Sequence, residues 1–301
     1  VVPYFGSVEK PECHMLYNVT TMASTWHTVA TKDVRLLKRQ LDQVFALPKE
    51  YVFLNYLRCH DDIGWGLDYD WLKNFGMEEV AHKKYLNDYL TGKWVGSDAR
   101  GELYNDDPRL GDARLCGTTA SLSGLEAALY EKDEEKAEKA VKCIVMLHAC
   151  LLSQSGIPML YSGDEIGQLN DYTYKEDPDK QADSRYLHRG RFPWETVKEM
   201  IPQEIFRTLR KLEQIRAEKE IFSMEAGTYT FETGSDRVLG ICRELDGKRL
   251  VSYYNFSGVS VKIDKGILGD GKGYKDLVTE KKLSGEAGEI EGYGYLWLYR
   301  E

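Results

Sequence analysis

The stretch from Tyr51 to Trp65, YVFLNYLRCHDDIGW, is apolar and β-prone as far as Leu57. It then delivers Arg58, Cys59, His60, Asp61 and Asp62. Adjacent carboxylates repel each other. A chain that sets two at one strand end has a use for them: binding a cation, accepting from hydroxyls, or stabilising positive charge in a transition state. A histidine followed directly by two acids lacks the ligand spacing of a known metal site, so no metal is expected. A second acidic pair, Asp164 and Glu165, ends the apolar run GIPMLYSGDEIG. Two further segments set arginine beside aspartate: GDAR with Arg114, and DSR with Arg185.

The elements that position these residues follow from hydrophobic period. Met22, Trp26, Val29, Val34, Leu37, Leu41 and Val44 predict a helix over 20–47 that Pro48 stops. A weak strand near His14–Val19, one at 51–57 and one at 157–161 are the three strands of βα units. Residues 63–116 read as a polar, irregular excursion with a helical piece at 78–90. Helices are expected at 118–130, at 134–154 with Asp133 as its cap, and at 203–219. A second polar excursion, 166–193, carries DPDKQADSRYLHRGRF. After Ile221 the pattern changes to alternation, with a hairpin signal at Asp246-Gly247. The expected organisation is one α/β unit over 1–220 and a small antiparallel domain over 221–301. In parallel α/β folds the groups after strand C-termini form the site, which is where the acids and arginines fall.

Totals restrict the function classes. The chain has 301 residues, 40 basic and 49 acidic, for a net charge of −9. That balance argues against nucleic acid or an anionic membrane surface as partner. No segment approaches the ~20 apolar residues of a membrane span. The opening VVPYFGSVEK is neither a signal peptide nor an initiator start, so the chain is expected to begin inside a longer protein or to have been processed. Six scattered cysteines without CxxC read as reduced thiols of a cytoplasmic protein, with Cys143 and Cys150 in the core. The sequons at Asn18 and Asn255 read as chance matches.

NYLRCHDDIGW resembles the motif that closes the seventh barrel strand of the α-amylase superfamily, glycoside hydrolase family 13. GIPMLYSGDEIG resembles that family's eighth-strand motif. CHMLYNVTTMASTWHTVATKDVRLL, HDDIGWGLDYD, GDARLCGTTASLSGLEAAL and DSRYLHRGRF are similar to the amylosucrase and sucrose hydrolase branch, from residue 1 to about 220. The resemblance implies a (β/α)8 barrel followed by an antiparallel β-sandwich domain. The chain would hold about strands six to eight and the sandwich, because a complete barrel needs ~250 residues. It implies a retaining mechanism on sucrose or an α-glucan with no cofactor, the nucleophile and acid/base lying in the N-terminal half. Asp61 matches the third carboxylate, which stabilises the transition state, and His60 the histidine that donates to the same sugar. Asp62 and Arg114 match residues facing the leaving fructose. Arg185 matches an arginine that pairs with an aspartate of the other half and closes the pocket floor. Asn105 stands where the family often carries Gln.

Competing readings are an oligo-α-1,4/1,6-glucosidase or α-amylase-type hydrolase, and a non-catalytic carbohydrate-binding or assembly module. Asp164 and Glu165 are expected to be scaffold. Trp65 and Tyr69 are candidates to stack on a sugar ring. His14, His27, His82, His148 and His188 are expected in the core or on a solvated face. Three parallel strands leave an unpaired edge. The edge near 14–19 is therefore expected to be covered by the N-terminal half of the same enzyme or by a second copy.

Overall fold

The computed structural model describes residues 2–7, 9–282 and 288–301. In chain order, β1 (Met15–Tyr17) leads into α1 (Val19–Thr31) and α2 (Arg35–Phe45), and then β2 (Val52–Tyr56). The helix expected over 20–47 is thus two helices. Lys32 takes the left-handed conformation at φ 60°, and the Asp33 carboxylate accepts the backbone N–H of Arg35. A short acid that can bond the main chain two residues on competes with a continuing helix. The apolar spacing carries the same signal, since Val29 and Val34 are five apart rather than three or four.

The excursion after β2 is more ordered than expected. It holds β3 (Ile63–Gly64), α3 (Tyr69–Leu72), α4 (Glu79–Leu90), β4 (Glu102–Asp107) and β5 (Asp112–Cys116). Its three strands form an antiparallel sheet in the order β3-β5-β4, with Gly64 and Tyr104 both opposite Arg114. Burial of Ala113 and Leu115 against exposure of Asp112 and Arg114 gives β5 its alternation. The helix expected at 118–130 is split into α5 (Thr119–Leu122) and α6 (Leu125–Glu131). Gly124 divides them at φ 94°, where a Cβ would lie 3.1 Å from that of Asp98.

Next comes α7 (Glu134–Ser153), opened by the Asp133 carboxylate on the Lys136 N–H as expected. It buries Ile144, Leu147 and Leu151, each contributing roughly 1.5–3 kcal/mol relative to exposure. The strand β6 (Ile157–Met159) then pairs with β2, giving a three-stranded parallel sheet in the order β1-β2-β6. These are the three expected strands. Met15 and Tyr17 are each 45% exposed on the edge strand. After 3-10 turns, α8 (Met200–Glu218) packs on α7.

The rest of the chain is antiparallel. It contains β7 (Gly227–Phe231), β8 (Val238–Leu245), β9 (Lys248–Asn255), β10 (Val261–Lys262), β11 (Lys275–Asp276), β12 (Glu289–Ile290) and β13 (Tyr295–Arg300). Five strands form one sheet in the order β11-β13-β9-β8-β7, and β10 pairs with β12. The β8–β9 hairpin turns at Asp246-Gly247, both at positive φ, as the sequence signal requires. Asn255 is buried and donates to the carbonyls of Val259 and Glu291, while Asn18 is buried and donates to Asn55. Neither side chain is presented for glycosylation. Cys143 and Cys150 lie in the core. No helix among the described residues is long and apolar enough to cross a membrane.

The two expected units share one core. Ile144 and Leu147 of α7 belong to the same buried cluster as Ile241, Tyr254 and Trp297. Two arginines tie the junction. Arg243 of β8, 1% exposed, donates to the carbonyls of Ile221, Ser153 and Ser223 at 2.8, 3.0 and 2.7 Å. Arg216 of α8 donates to the carbonyls of Leu152 and Gly156. The Phe222 ring lies beside both guanidiniums and against Trp297. Carbonyls at the end of a helix have no partner within it, and here the two cations supply one.

Two stability predictions follow from these contacts. Arg243→Met leaves the Ile221 and Ser153 carbonyls without a donor and takes one of two from Ser223. It should lower unfolding stability by on the order of 3 kcal/mol, read as a lower urea midpoint at unchanged m-value. A midpoint equal to wild type would contradict the junction role. His27, fully buried against His82, has its pKa lowered to about 3, by desolvation first and the His82 ring second. Unfolded, it binds a proton below about 6.5. Its contribution is therefore complete above that pH and is lost as pH falls toward 3, at about 1.4 kcal/mol per pH unit. His27→Leu should flatten the stability profile between pH 6 and 4, and an unchanged slope would remove His27 from the account.

Candidate active site

The site is built where β2 ends. The chain leaves the strand at Tyr56, buries Leu57, Arg58 and Cys59, and surfaces at His60 and Asp61, which are 61% and 55% exposed at the side chain. The turn is held through its main chain. The Asp61 N–H donates to the Cys59 sulfur at 3.4 Å, and the buried Arg58 guanidinium donates to the Cys59 carbonyl. The His60 carbonyl faces two groups from the second excursion, the His188 Nε2 at 3.2 Å and the Arg189 Nε at 2.7 Å. The side chains of His60 and Asp61 remain free to face a ligand, with the His60 Nε2 3.4 Å from the Asp61 carboxylate.

Cationic groups surround that carboxylate. The Arg189 guanidinium approaches one Asp61 oxygen at 3.5 Å and the Arg185 guanidinium the same oxygen at 3.8 Å. Arg185 is fixed by a two-pronged contact with Asp183, both bonds at 2.8 Å, and its guanidinium lies over the Tyr104 ring. The Asp183 bond raises the Arg185 pKa, and the same bond lowers that of Asp183, so this pair stays ionised. The adjacent Asp62 is mostly covered, and its carboxylate is 3.7 Å from the Arg114 guanidinium. The β3–β5 register delivers this contact by setting Gly64 opposite Arg114. A Cβ at Gly64 would fall 1.9 Å from an Arg114 nitrogen, so the glycine makes room for the guanidinium.

All five expected residues, His60, Asp61, Asp62, Arg114 and Arg185, lie in this one constellation. Arg185, expected to pair with an aspartate outside the chain, is held here by Asp183 and reaches Asp61. Trp65 is 3% exposed, with its ring N–H donated to Asn87, and Tyr69 donates to the Trp65 carbonyl. Trp65 is therefore core and offers no face to a sugar. Asp164 is buried 3.8 Å from His148, and Glu165 accepts the Gly163 N–H, so both serve the turn after β6. Asn105 sits at φ 50° in the irregular part of the β4–β5 pairing.

Three members were not singled out in the sequence: Tyr104, Arg189 and His188. His188 and Arg189 stand in the quoted DSRYLHRGRF, three and four residues past Arg185, and a 3-10 turn over Ser184–His188 brings them back onto the His60 turn. Tyr104 required the strand pairing. Cys59, His60 and Asp61 offer ligand atoms within 4.8 Å of one another, and no fourth such residue joins them among the described residues. Burial raises the Cys59 thiol pKa, and its sulfur already accepts from Asp61, which makes it a poor metal ligand. A groove of about 1150 Å³ opens beside the turn, bounded by Arg189, Tyr186, Tyr172 and Ile201.

No family model matches the chain. Among curated proteins it is 23% identical over 304 residues to the glucosylglycerate phosphorylase of Escherichia coli (strain K12), covering 99% of this chain and 50% of that protein. It is 24% identical over 280 residues to the trehalose synthase of Pimelobacter sp. (strain R48), covering 82% of this chain and 42% of that one. Among solved structures, an AmyP variant in complex with maltotriose superposes with a TM-score of 0.64 at 15% identity, over 99% of this chain and 52% of that chain. The chain thus spans about half the length of the curated relatives it matches. The α/β fold is that of amylase-type structures. These similarities are to α-glucoside-acting enzymes of the α-amylase superfamily, glycoside hydrolase family 13, and do not single out the amylosucrase branch within it.

Proposed function

We propose that this chain is the C-terminal part of a retaining α-glucoside-acting enzyme of the amylosucrase type, cleaving sucrose and passing the glucosyl unit to a glucan or to water. The observation that carries the reading is the exposed His60–Asp61 pair at the end of the middle parallel strand, with Arg185 and Arg189 3.8 and 3.5 Å from the Asp61 carboxylate. On this reading Asp61 accepts hydrogen bonds from hydroxyls of the glucosyl ring, and those bonds strengthen as the ring gains positive charge. His60 donates to the same ring. The two arginines orient the Asp61 carboxylate. Asp62 and Arg114, adjacent but facing another way, take the fructosyl side. The nucleophile and the acid/base belong to the N-terminal part, which also covers the exposed β1 edge, and the three parallel strands are strands six to eight of a (β/α)8 barrel ahead of a β-sandwich.

Two observations favour a second acceptor. The curated relative matched over 99% of the chain is a phosphorylase, and cations already line the Asp61 carboxylate. Transfer to inorganic phosphate is therefore the second reading, and it is distinguished by sugar phosphate formed when phosphate replaces other acceptors. A hydrolase acting on oligo-α-glucosides would need neither Asp62 nor Arg114 for fructose, so Arg114→Ala would leave it indifferent. A non-catalytic module would bind glucan without turnover at any length of chain.

The purified chain alone should release neither glucose nor fructose from sucrose, assayed by coupled detection of both sugars. Sucrose turnover that Asp61→Ala abolishes would show that the chain carries its own nucleophile and acid. In the full-length protein, Asp61→Asn should lower kcat by about 10²-fold or more with a much smaller change in KM, because the lost contacts are strongest in the transition state. Unchanged kcat would take Asp61 out of the site.

A further inference from the structure

The His60–Asp61 peptide is gripped at both of its polar ends. Its N–H is donated to the Cys59 sulfur, and its carbonyl lies 3.2 Å from the His188 Nε2 and 2.7 Å from the Arg189 Nε. The other ring nitrogen of His188, Nδ1, accepts the backbone N–H of Gly117 at 3.2 Å. A carbonyl can only accept and an amide N–H can only donate. The ring therefore has one arrangement that satisfies both neighbours: proton on Nε2, lone pair on Nδ1, no net charge. His188 is 3% exposed. Burial, with the Arg58 and Arg189 guanidiniums nearby, lowers its pKa to about 2, opposed by the bond to the His60 carbonyl and by the Asp183 carboxylate.

We infer that His188 is a positioning residue: as a neutral Nε2–H imidazole braced on the Gly117 amide, it fixes the plane of the His60–Asp61 peptide and so the direction in which Asp61 is presented. The inference rests on the reading of Asp61 as the group that meets the sugar, and it adds a residue that touches no substrate. The geometry explains why the bracing must come from the main chain. His60 and Asp61 are exposed and offer their side chains to the ligand, and the arginines 3.5 and 3.8 Å from the Asp61 carboxylate orient that side chain without fixing the plane of the peptide behind it. Gly117 follows β5, the strand that delivers Arg114, so one imidazole links the Asp61 turn to the sheet that carries the Asp62 partner. A tilt of that peptide displaces the Asp61 carboxylate, and displacements on the order of 1 Å cost about 10²-fold in turnover.

Two substitutions separate the bonds. Asn at position 188 can still accept from Gly117 but is too short to reach the His60 carbonyl, whereas Gln carries its amide nitrogen to the place of Nε2. In the full-length protein, His188→Asn should lower kcat by about 10- to 100-fold with KM changed less, and His188→Gln should recover most of the loss. If His188→Asn and His188→Gln lose kcat equally, or if His188→Asn matches wild type in a protein where Asp61→Asn is inactive, the positioning role is overturned while the reading of Asp61 stands. Unchanged turnover in Asp61→Asn would instead sink the functional reading. The tautomer is checked without any activity, by ¹H–¹⁵N spectra of the histidine rings in the wild-type chain. The expected result is one ring with protonated Nε2 and unprotonated Nδ1, unchanged from pH 8 to pH 5. A His188 ring protonated on Nδ1, or titrating near 6.5, overturns the inference whatever the variants do.

Discussion

Two guanidiniums at the lower end of the parallel sheet, that of Arg243 buried and that of Arg216 half-buried, set the frame for everything above them. Arg216 and Arg243 donate to five carbonyls, those of Leu152, Ser153, Gly156, Ile221 and Ser223. These carbonyls lie where α7 ends, where β6 is about to begin and where the chain turns toward the antiparallel sheet. A helix end buried without donors would be costly, and two hydrated cations at that spot would keep the layers apart. Matched to carbonyls and set beside the Phe222 ring, the cations instead lock α7, β6 and the β8–β9 hairpin into one body. The parallel strands then have a fixed lower end, and their upper ends can carry polar groups without the sheet sliding.

At the upper end the difficulty is electrostatic. Asp61 and Asp62 follow one another, and their repulsion is relieved by turning them apart. Asp62 faces Arg114 across the β3–β5 pairing, and Asp61 faces Arg185 and Arg189 from the second excursion. Each arginine is itself placed by something rigid. Gly64 opens the space for Arg114, Asp183 clamps Arg185 over the Tyr104 ring, and Arg189 is tied to the His60 carbonyl. The excursions that look like long loops in the sequence are the parts that divide the two carboxylates between two environments. On the proposed reading, that division separates the glucosyl contact from the fructosyl one.

Much of this was legible in the residues. The three parallel strands, the Asp133 cap and the Asp246-Gly247 hairpin each rest on a local signal, and each is present. Residues 60–62, 114 and 185 were picked out by motif resemblance, and the fold does gather them. What escaped depended on pairings that periodicity does not encode. The β3-β5-β4 sheet is built from strands as short as two residues, separated by α4, so its register and the place of Tyr104 were invisible. His188 was expected in the core or on a solvated face, and it is buried, but its bonds to Gly117 and His60 span 71 and 128 residues. Trp65 looked like a sugar platform because aromatic residues suit both cores and sugars, and its bond to Asn87 decided for the core. The breaks at Lys32 and Gly124 were in reach, since a five-residue gap in the apolar period and a glycine within a helical run both mark an interruption.

The most direct measurement is a crystal structure of the full-length protein with an uncleavable thio-analogue of sucrose bound. The account predicts the Asp61 carboxylate at about 3 Å from two neighbouring hydroxyls of the glucosyl ring. It also predicts Asp62 and Arg114 on the fructosyl side, with the His60 carbonyl still held by His188 and Arg189. An analogue bound in the groove beside Ile201, with Asp61 touching only its arginines, would contradict it.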